Sequence, residues 1–399
     1  MVLGVKYIAH GSATGYGMAA FAYIRALHNA GIPVWPFFLG QEPLPGEPEE
    51  EPYILRLDGR PEIDADLADL PAIIDATTRP IAYDTVLAHN SPDRCRLFAE
   101  AGKRLIAYTA WETEALPERW PALIDAADAI AVPSRFNAEL FVRSGVTRPV
   151  HVVPHVLRHA WSESAGEDGV ALRLRVGIPE DHFVFYTIAA WDPRKAVDEL
   201  IDVFVREFGA EERVTLFVKT SAGVENAPAE AMSGASVPVR AKQIIAAAGR
   251  GSARGAAKVV CLAASEISGR MIDAIHAAGD AYVSLTHGEA WGMGAFDAAS
   301  LGKPVIITGW GGQLDFLGED YPGLVRYELT PAIGWMPFPE YRPTGRWASA
   351  DRRHAAQLMH AAVARDRVLL EAASALRGRL AERYAEPVVA RQLLAAIDA

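Results

Sequence analysis

The chain is poor in the features that mark several protein classes. Of its 399 residues only two are cysteine, Cys95 and Cys261. Two thiols so far apart make neither a disulfide framework nor a metal-ligand cluster, and they point to a reducing cytoplasm. No uninterrupted apolar run approaches the roughly 20 residues that span a bilayer. No membrane-spanning helix is therefore expected, while peripheral membrane contact stays open. The opening stretch MVLGVKYIAHGS has no basic segment followed by a long apolar core, which argues against a signal peptide. Positive charge is also short: 39 Lys and Arg stand against 50 Asp and Glu, a net charge of −11. A protein-wide field for gripping nucleic acid is absent, so nucleic acid is not an expected partner. No repeat of solenoid length is visible.

What remains is the balance of a globular protein, half hydrophobic and 22% charged. The length is ample for two domains. Short apolar runs alternate with amphipathic segments. The pattern predicts strands over 2–9, 33–39, 105–109, 129–132 and 150–153, with helices over 18–29, from about 117, and over 135–144. A polar stretch over 155–169 with little periodicity reads as a linker. The alternation then restarts, with strands over 183–188, 214–218, 259–262, 281–285 and 304–308 and helices over 197–208, 268–278 and 293–301. Residues 221–238 read as a loop or insertion. The pattern loosens after Thr330, and helices resume from about Ala350 to the end. Strand–helix alternation of this kind means parallel sheets covered on both faces. The expectation is an α/β protein of two doubly wound, Rossmann-like domains facing each other across a cleft. Their bounds are 1–160 and 161–375, with a C-terminal helix over 376–399 returning to the first. Ligands of such sheets bind at the carboxyl ends of strands.

Two strand-to-helix junctions carry candidate chemistry. Ser12-Ala13-Thr14-Gly15-Tyr16-Gly17 follows the first strand and opens the first helix. Glycine allows close backbone approach, and a helix start offers N–H groups to an anion. The dinucleotide fingerprint is only met with Ala20 in its last place, and no acid ends the second strand to hold a ribose. A plain glycine turn is the competing reading.

The second junction is richer. The strand over 281–285 runs into Thr286-His287-Gly288-Glu289-Ala290-Trp291-Gly292-Met293-Gly294-Ala295-Phe296-Asp297. Gly292 and Gly294 let the backbone present N–H groups to phosphate or sugar oxygens. Glu289 falls in the loop and Asp297 in the first turns of the helix. Two acids beside an anion site are repulsive unless they bind hydroxyls, and carboxylates are good acceptors for vicinal sugar hydroxyls. The bland alternatives are a surface loop acid and a helix-start acid stabilised by the dipole.

This stretch resembles the E-x7-E donor motif of the retaining, GT-B-fold glycosyltransferases of glycosyl transferase family 4, with Asp297 in place of the usual second Glu. The likeness continues through Ala298-Ala299-Ser300-Leu301-Gly302-Lys303-Pro304-Val305-Ile306 and the turn Gly309-Trp310-Gly311-Gly312. Residues 110–137 and 149–154 are similar to the family's acceptor-domain core, and Trp191-Asp192-Pro193-Arg194-Lys195 to the segment bearing its phosphate-binding cations. The resemblance implies that Glu289 contacts the transferred sugar, Asp297 the nucleotide ribose and Lys195 the diphosphate. It further implies that the backbone of Met293, Gly294 and Ala295 cradles sugar and phosphate oxygens, and that Gly15 and Gly17 approach the diphosphate. The family usually has an Arg shortly before the Lys; here that region is Ala189-Ala190, so Arg194 or Lys219 is expected to supply the second charge. The family often has a His after the strand over 105–109; here Trp111 and Glu112 follow, and Glu112 is the acceptor-side candidate. His287 either packs at the strand end or caps the sugar site.

The implied activity is hexosyl transfer, with retention, from a UDP- or GDP-sugar to a carbohydrate, glycolipid or small-molecule hydroxyl, as in polysaccharide synthesis. No further cofactor and no metal is expected. Asp64-Ala65-Asp66 spells the D-x-D metal motif of a different fold, but in an acidic segment that reads as a solvated face. A sugar-nucleotide epimerase of the same architecture and a non-catalytic nucleotide-sugar-binding subunit are the rival readings.

Overall fold

In the computed structural model, residues 2–10, 15–39, 79–157, 161, 164–225, 236–249, 255–264, 267–333 and 345–399 are described. They fall into two compact units. The first comprises Met1–Trp111, Ala115–His159 and Arg383–Ala399; the second comprises Glu112–Glu114 and Ala160–Glu382.

The first unit holds β1 (Val5–His10), α1 (Gly15–Asn29), β2 (Val34–Leu39), β3 (Thr85–His89), β4 (Arg104–Tyr108), α2 (Trp120–Ile124), β5 (Ala129–Val132), α3 (Arg135–Arg143) and β6 (Val150–Val152). The strands form one sheet in the order β2-β1-β3-β4-β5-β6, and every neighbouring pair is parallel. β3 and β5 are buried along their whole length, as expected of strands covered on both faces. Local signals set the helix ends. Ser134 caps α3 by accepting from the Asn137 N–H, and Gly145 follows that helix at φ 97°.

The second unit begins with α4 (Ala165–Arg175) and continues β7 (Phe183–Ile188), α5 (Val197–Glu207), β8 (Val214–Thr220), α6 (Val237–Gly249), β9 (Lys258–Ala263), α7 (Gly269–Ala278), β10 (Ala281–Ser284), α8 (Met293–Ser300) and β11 (Val305–Thr308). Then come α9 (Leu314–Leu317), β12 (Leu324–Val325), β13 (Tyr327–Pro331), β14 (Arg346–Ala350), α10 (Arg352–Val363) and α11 (Arg367–Arg383). Its main sheet runs β12-β11-β10-β7-β8-β9, again parallel throughout. The strand order reverses between β7 and β10, so their carboxyl ends open a crevice, the place where such sheets take ligands. β13 and β14 pair antiparallel beside it.

The last helix, α12 (Glu386–Asp398), belongs to the first unit. Val389, Leu393 and Ile397 join a core with Tyr7, Ile24, Leu27, Ile106 and Tyr108. Glu386 fixes the helix to α1, accepting from Arg25 Nε and Asn29 Nδ2, each at 2.6 Å.

Several elements depart from the sequence pattern, β3, α4 and the β13–β14 pair among them. β3 was not separated from its surroundings, although it lies in the middle of the first sheet. α4 occupies part of the stretch read as a linker; only Gly169 and Leu172 of it are buried, while Val170 and Leu174 are exposed, so its apolar periodicity is weak. The β13–β14 pair falls where the pattern loosens. Asp64 and Asp66 lie outside the described residues. Among the described residues, no helix is long and apolar enough to cross a membrane.

Candidate functional site

The chain leaves β7 at Ile188, passes Ala189 and Ala190, and enters a short 3-10 turn over Pro193–Lys195. Asp192 caps that turn, its carboxylate accepting from the Arg194 N–H at 2.7 Å. Ala196, buried, sits in the left-handed region at φ 49°, a conformation that costs a non-glycine residue about 1 kcal/mol. The kink turns the chain sharply into α5 just after two consecutive cations, Arg194 and Lys195.

Opposite, β10 ends at Ser284 and the loop to α8 carries Glu289. The Lys195 ammonium lies 2.7 Å from both carboxylate oxygens of Glu289. Arg194 Nη1 donates to the Gly288 carbonyl at 2.7 Å and lies 3.4 Å from Glu289 Oε2. Arg194 Nη2 lies 3.3 Å from Glu112 Oε1. Backbone bonds close the same junction: the Arg194 carbonyl accepts from the His287 N–H at 2.7 Å and from the Thr286 hydroxyl at 3.2 Å. Four charged side chains thus converge at the reversal point of the second sheet, joined through Arg194 and Lys195.

Their electrostatics differ. Glu289 is only 7% exposed. Burial alone would push its carboxyl up, but Lys195 and Arg194 hold it below the ordinary value. Glu112 goes the other way: burial raises it, and the opposing pull of Arg194 and Lys195 is not enough. Arg194 is driven further toward its charged form, because Glu112, Glu289 and Asp192 outweigh the effect of burial.

The glycines explain how the groups come so close. A Cβ on Gly288 would stand 2.2 Å from the Glu112 carbonyl oxygen. One on Gly294 would stand 2.8 Å from Tyr282 Oη and 3.2 Å from the Ile188 carbonyl oxygen. Gly292 is the residue before α8 and adopts φ 90°. Gly311, at φ 124°, lies against the Glu289 backbone, and the Gly312 N–H donates to the Glu289 carbonyl at 2.7 Å. At the start of α8 the N–H groups of Met293, Gly294 and Ala295 have no acceptor within the helix, which is the general property of a helix start.

The remaining candidates take varied places. His287 is buried and stacked on Trp347, centroids 4.4 Å apart; its Nδ1 is 2.6 Å from the Ala348 carbonyl and its Nε2 3.3 Å from Glu199 Oε1. Both ring nitrogens therefore face protein acceptors, a packed strand-end histidine. Asp297, also 7% exposed, lies on α8 with Oδ2 3.9 Å from Nε2 of the buried His276. Lys219, next to last in β8, pairs with Ile188, and its carbonyl accepts from the Ala189 N–H at 3.1 Å. It therefore borders the Ala189-Ala190 segment, and burial lowers its ammonium pKa. Gly15 and Gly17 form the first turn of α1 in the first unit, Gly17 buried; residues 11–14 before them lie outside the described residues.

Glu112 belongs with Arg194 and Glu289 in the second unit, whereas the sequence suggested an acceptor-side contact. Its neighbours hold it there: the Glu114 N–H donates to the Arg346 carbonyl at 2.8 Å, and the Arg346 guanidinium donates twice to the Glu114 carboxylate, both at 2.8 Å. Glu199, Tyr186, Tyr282 and His276 were not expected. They stand on four different elements, and no local motif marks them. Among the described residues, no cluster of three or more His, Cys, Asp or Glu is arranged to hold a metal ion.

Comparison with known proteins places this geometry on a familiar scaffold. No family model matches the chain, and no curated protein sequence matches it significantly. Solved structures do. It is similar to Anabaena HepE in complex with UDP and glucose, at 15% identity and TM-score 0.64, covering 99% of each chain. It is also similar to sucrose-phosphate synthase from Thermosynechococcus elongatus, at 16% identity and TM-score 0.65, covering 99% of this chain and 98% of that one. A glycosyltransferase from Rickettsia africae matches at 12% identity and TM-score 0.64, covering 98% of this chain and 97% of that one. The chain has the GT-B fold, with two six-stranded parallel sheets that resemble those of solved glycosyltransferases along nearly the full length.

Proposed function

We propose that the protein transfers a hexosyl unit from a nucleoside diphosphate sugar to an acceptor hydroxyl, with retention of anomeric configuration. The observation that carries this reading is the buried Glu289 carboxylate, held ionised by Lys195 and Arg194 where the strand order of the second sheet reverses. An ionised carboxylate in a crevice accepts hydrogen bonds from sugar hydroxyls, and neighbouring cations answer diphosphate charge. The fold, shared with a protein bound to UDP and glucose, supports the same donor class.

The barrier in such a reaction is departure of the diphosphate from an oxocarbenium-like centre. Groups fixed in advance where charge develops lower it most. Lys195 has three N–H donors; with two on Glu289, the third is available to a diphosphate oxygen. The N–H groups of Met293, Gly294 and Ala295 add an anion cradle. Arg194 is engaged by Glu112, Glu289 and the Gly288 carbonyl. It positions Glu289, and Lys219 at the neighbouring strand end is the second cation. Glu289, with both oxygens engaged by Lys195, is assigned to hydroxyl binding and not to nucleophilic attack. Asp297 is assigned to the ribose.

Thermal-shift screening against UDP, GDP, ADP and TDP, followed by their sugars, identifies the donor. NMR of the anomeric protons after incubation with donor and carbohydrate acceptors is then expected to show a new glycoside of the donor's configuration. Ring-carbon inversion without an acceptor would make the protein an epimerase. Donor binding with neither transfer nor hydrolysis across an acceptor panel would make it a non-catalytic binding subunit.

A further inference from the structure

We infer that His287 is a positioning residue, which clasps the outer edge of β14 and thereby fixes Arg194 and Glu289 in the arrangement the donor needs. The inference rests on the donor-site reading above and extends it to a side chain and a hairpin that touch no ligand in that reading. One edge of β14 pairs with β13, with Leu329 opposite Ala348 and Pro331 opposite Arg346. Along an antiparallel strand, successive residues turn their peptide groups to opposite sides. Arg346 and Ala348 turn theirs away from β13, and Pro331, which has no N–H to give, suits that register. On this outer edge the Arg346 carbonyl accepts from the Glu114 N–H at 2.8 Å, and the Ala348 N–H donates to the His287 carbonyl at 2.9 Å.

The Ala348 carbonyl on the same edge is met by the His287 ring, whose Nδ1 lies 2.6 Å away. A carbonyl oxygen only accepts, so Nδ1 carries the hydrogen. Ala348 is fully buried, and without that donor its carbonyl would be stranded away from water. Main chain and ring of His287 thus take both peptide groups of Ala348. The ring is fixed elsewhere too. It stacks on Trp347 with an interplanar angle of 18°. Its Nε2 lies 3.3 Å from Glu199 Oε1 on α5, and Glu199 Oε2 lies 3.0 Å from Arg352 Nη2 on α10. An imidazole held on one face and at both nitrogens has little rotational freedom, which is what a positioning group requires.

The backbone carries this constraint into the site. The His287 N–H donates to the Arg194 carbonyl at 2.7 Å. The Arg194 guanidinium returns to the Gly288 carbonyl at 2.7 Å and reaches Glu289 at 3.4 Å. A closed circuit therefore joins the turn over Pro193–Lys195 to the Glu289 loop, and His287 anchors that circuit to β14. Displacement of reacting groups by about 1 Å costs up to about 10²-fold in rate, so an anchor of this kind has a kinetic effect without touching the substrate.

Two measurements on the full chain separate positioning from plain stability. In His287→Phe, amide hydrogen exchange of the protein alone is expected to rise over 191–197 and 284–292, with 386–398 unchanged. Transfer by the same variant is expected to fall about tenfold in kcat, while affinity for UDP and GDP by calorimetry stays within about twofold of wild type. His287→Asn keeps an N–H near the Nδ1 position and is expected to restore most of the rate and of the protection. His287→Gln, whose amide reaches the Nε2 position instead, is expected to behave as His287→Phe, and it serves as the second test should His287→Phe fold poorly. Wild-type protection over 191–197 in the Phe or the Gln variant overturns the inference while the donor-site reading stands. Rescue by Gln equal to rescue by Asn, or nucleotide affinity that falls as far as the rate, overturns it as well. Absence of transfer by the wild type with every donor and acceptor removes the donor-site reading and this inference with it.

Discussion

Glu112 and Glu289 share one guanidinium yet are pushed in opposite directions, and their consequences for stability have opposite signs. Glu289 is held below its ordinary value. Its contribution is present above the unfolded carboxylate range and is lost as pH falls through the folded value. Glu112 is held above its ordinary value, so the fold favours its neutral form. Stability from that group is fully present below the unfolded value and declines as pH rises toward the folded one. Glu112→Gln, which mimics the neutral form, is therefore expected to raise the melting temperature at pH 7, with the gain closing toward pH 4. A lower melting temperature at pH 7 would mean that Glu112 stabilises as an ion. Glu289→Gln should do the reverse, lowering the melting temperature at neutral pH, and should reduce transfer by about 10²- to 10³-fold through loss of preorganised charge. Transfer near the wild-type rate in that variant would remove Glu289 from the mechanism.

At the scale of elements, the site depends on loops that approach closely enough to exclude a methyl group. Gly288→Ala would place a carbon 2.2 Å from a backbone oxygen that cannot rotate away. The substitution is expected to cost about 1–3 kcal/mol by overpacking and to weaken donor binding, read by denaturant unfolding and calorimetry; a fully stable variant would show that segment 112–114 is free to move. This closeness also marks the limit of what the amino-acid pattern reveals. Strands β5 and β7 are legible to the residue, because short apolar runs bounded by turn residues have one interpretation beside helices. The Glu289 loop is legible too, since its glycines sit between a strand and a helix. β3 is not, because five residues ending in a histidine carry too little period to stand out. Nor is the meeting of Glu112 with Arg194, or of His276 with Asp297. Those contacts are made by topology, through a strand order that reverses between β7 and β10, and no spacing along the chain encodes them.

For the molecule as a whole, α12 brings the far end of the sequence back into the core of the first unit. Arg25 and Glu386 are both largely buried, with side chains 13% and 7% exposed. Removing one partner of such a pair leaves an uncompensated charge, so Glu386→Ala is expected to cost about 3 kcal/mol. Scanning calorimetry should show a clear fall in one transition, whereas Glu371→Ala, which removes an exposed pair with Arg367 on α11, should leave both unchanged. Equal effects of the two substitutions would remove the special role of the α1–α12 contact. The same contact has a consequence for how the protein is made. Arg25 and Glu386 are 361 positions apart, so α1 is synthesised long before its partner. Every segment of the second unit is released before the helix that completes the first. The first unit, begun before the second, cannot close until the second has been synthesised.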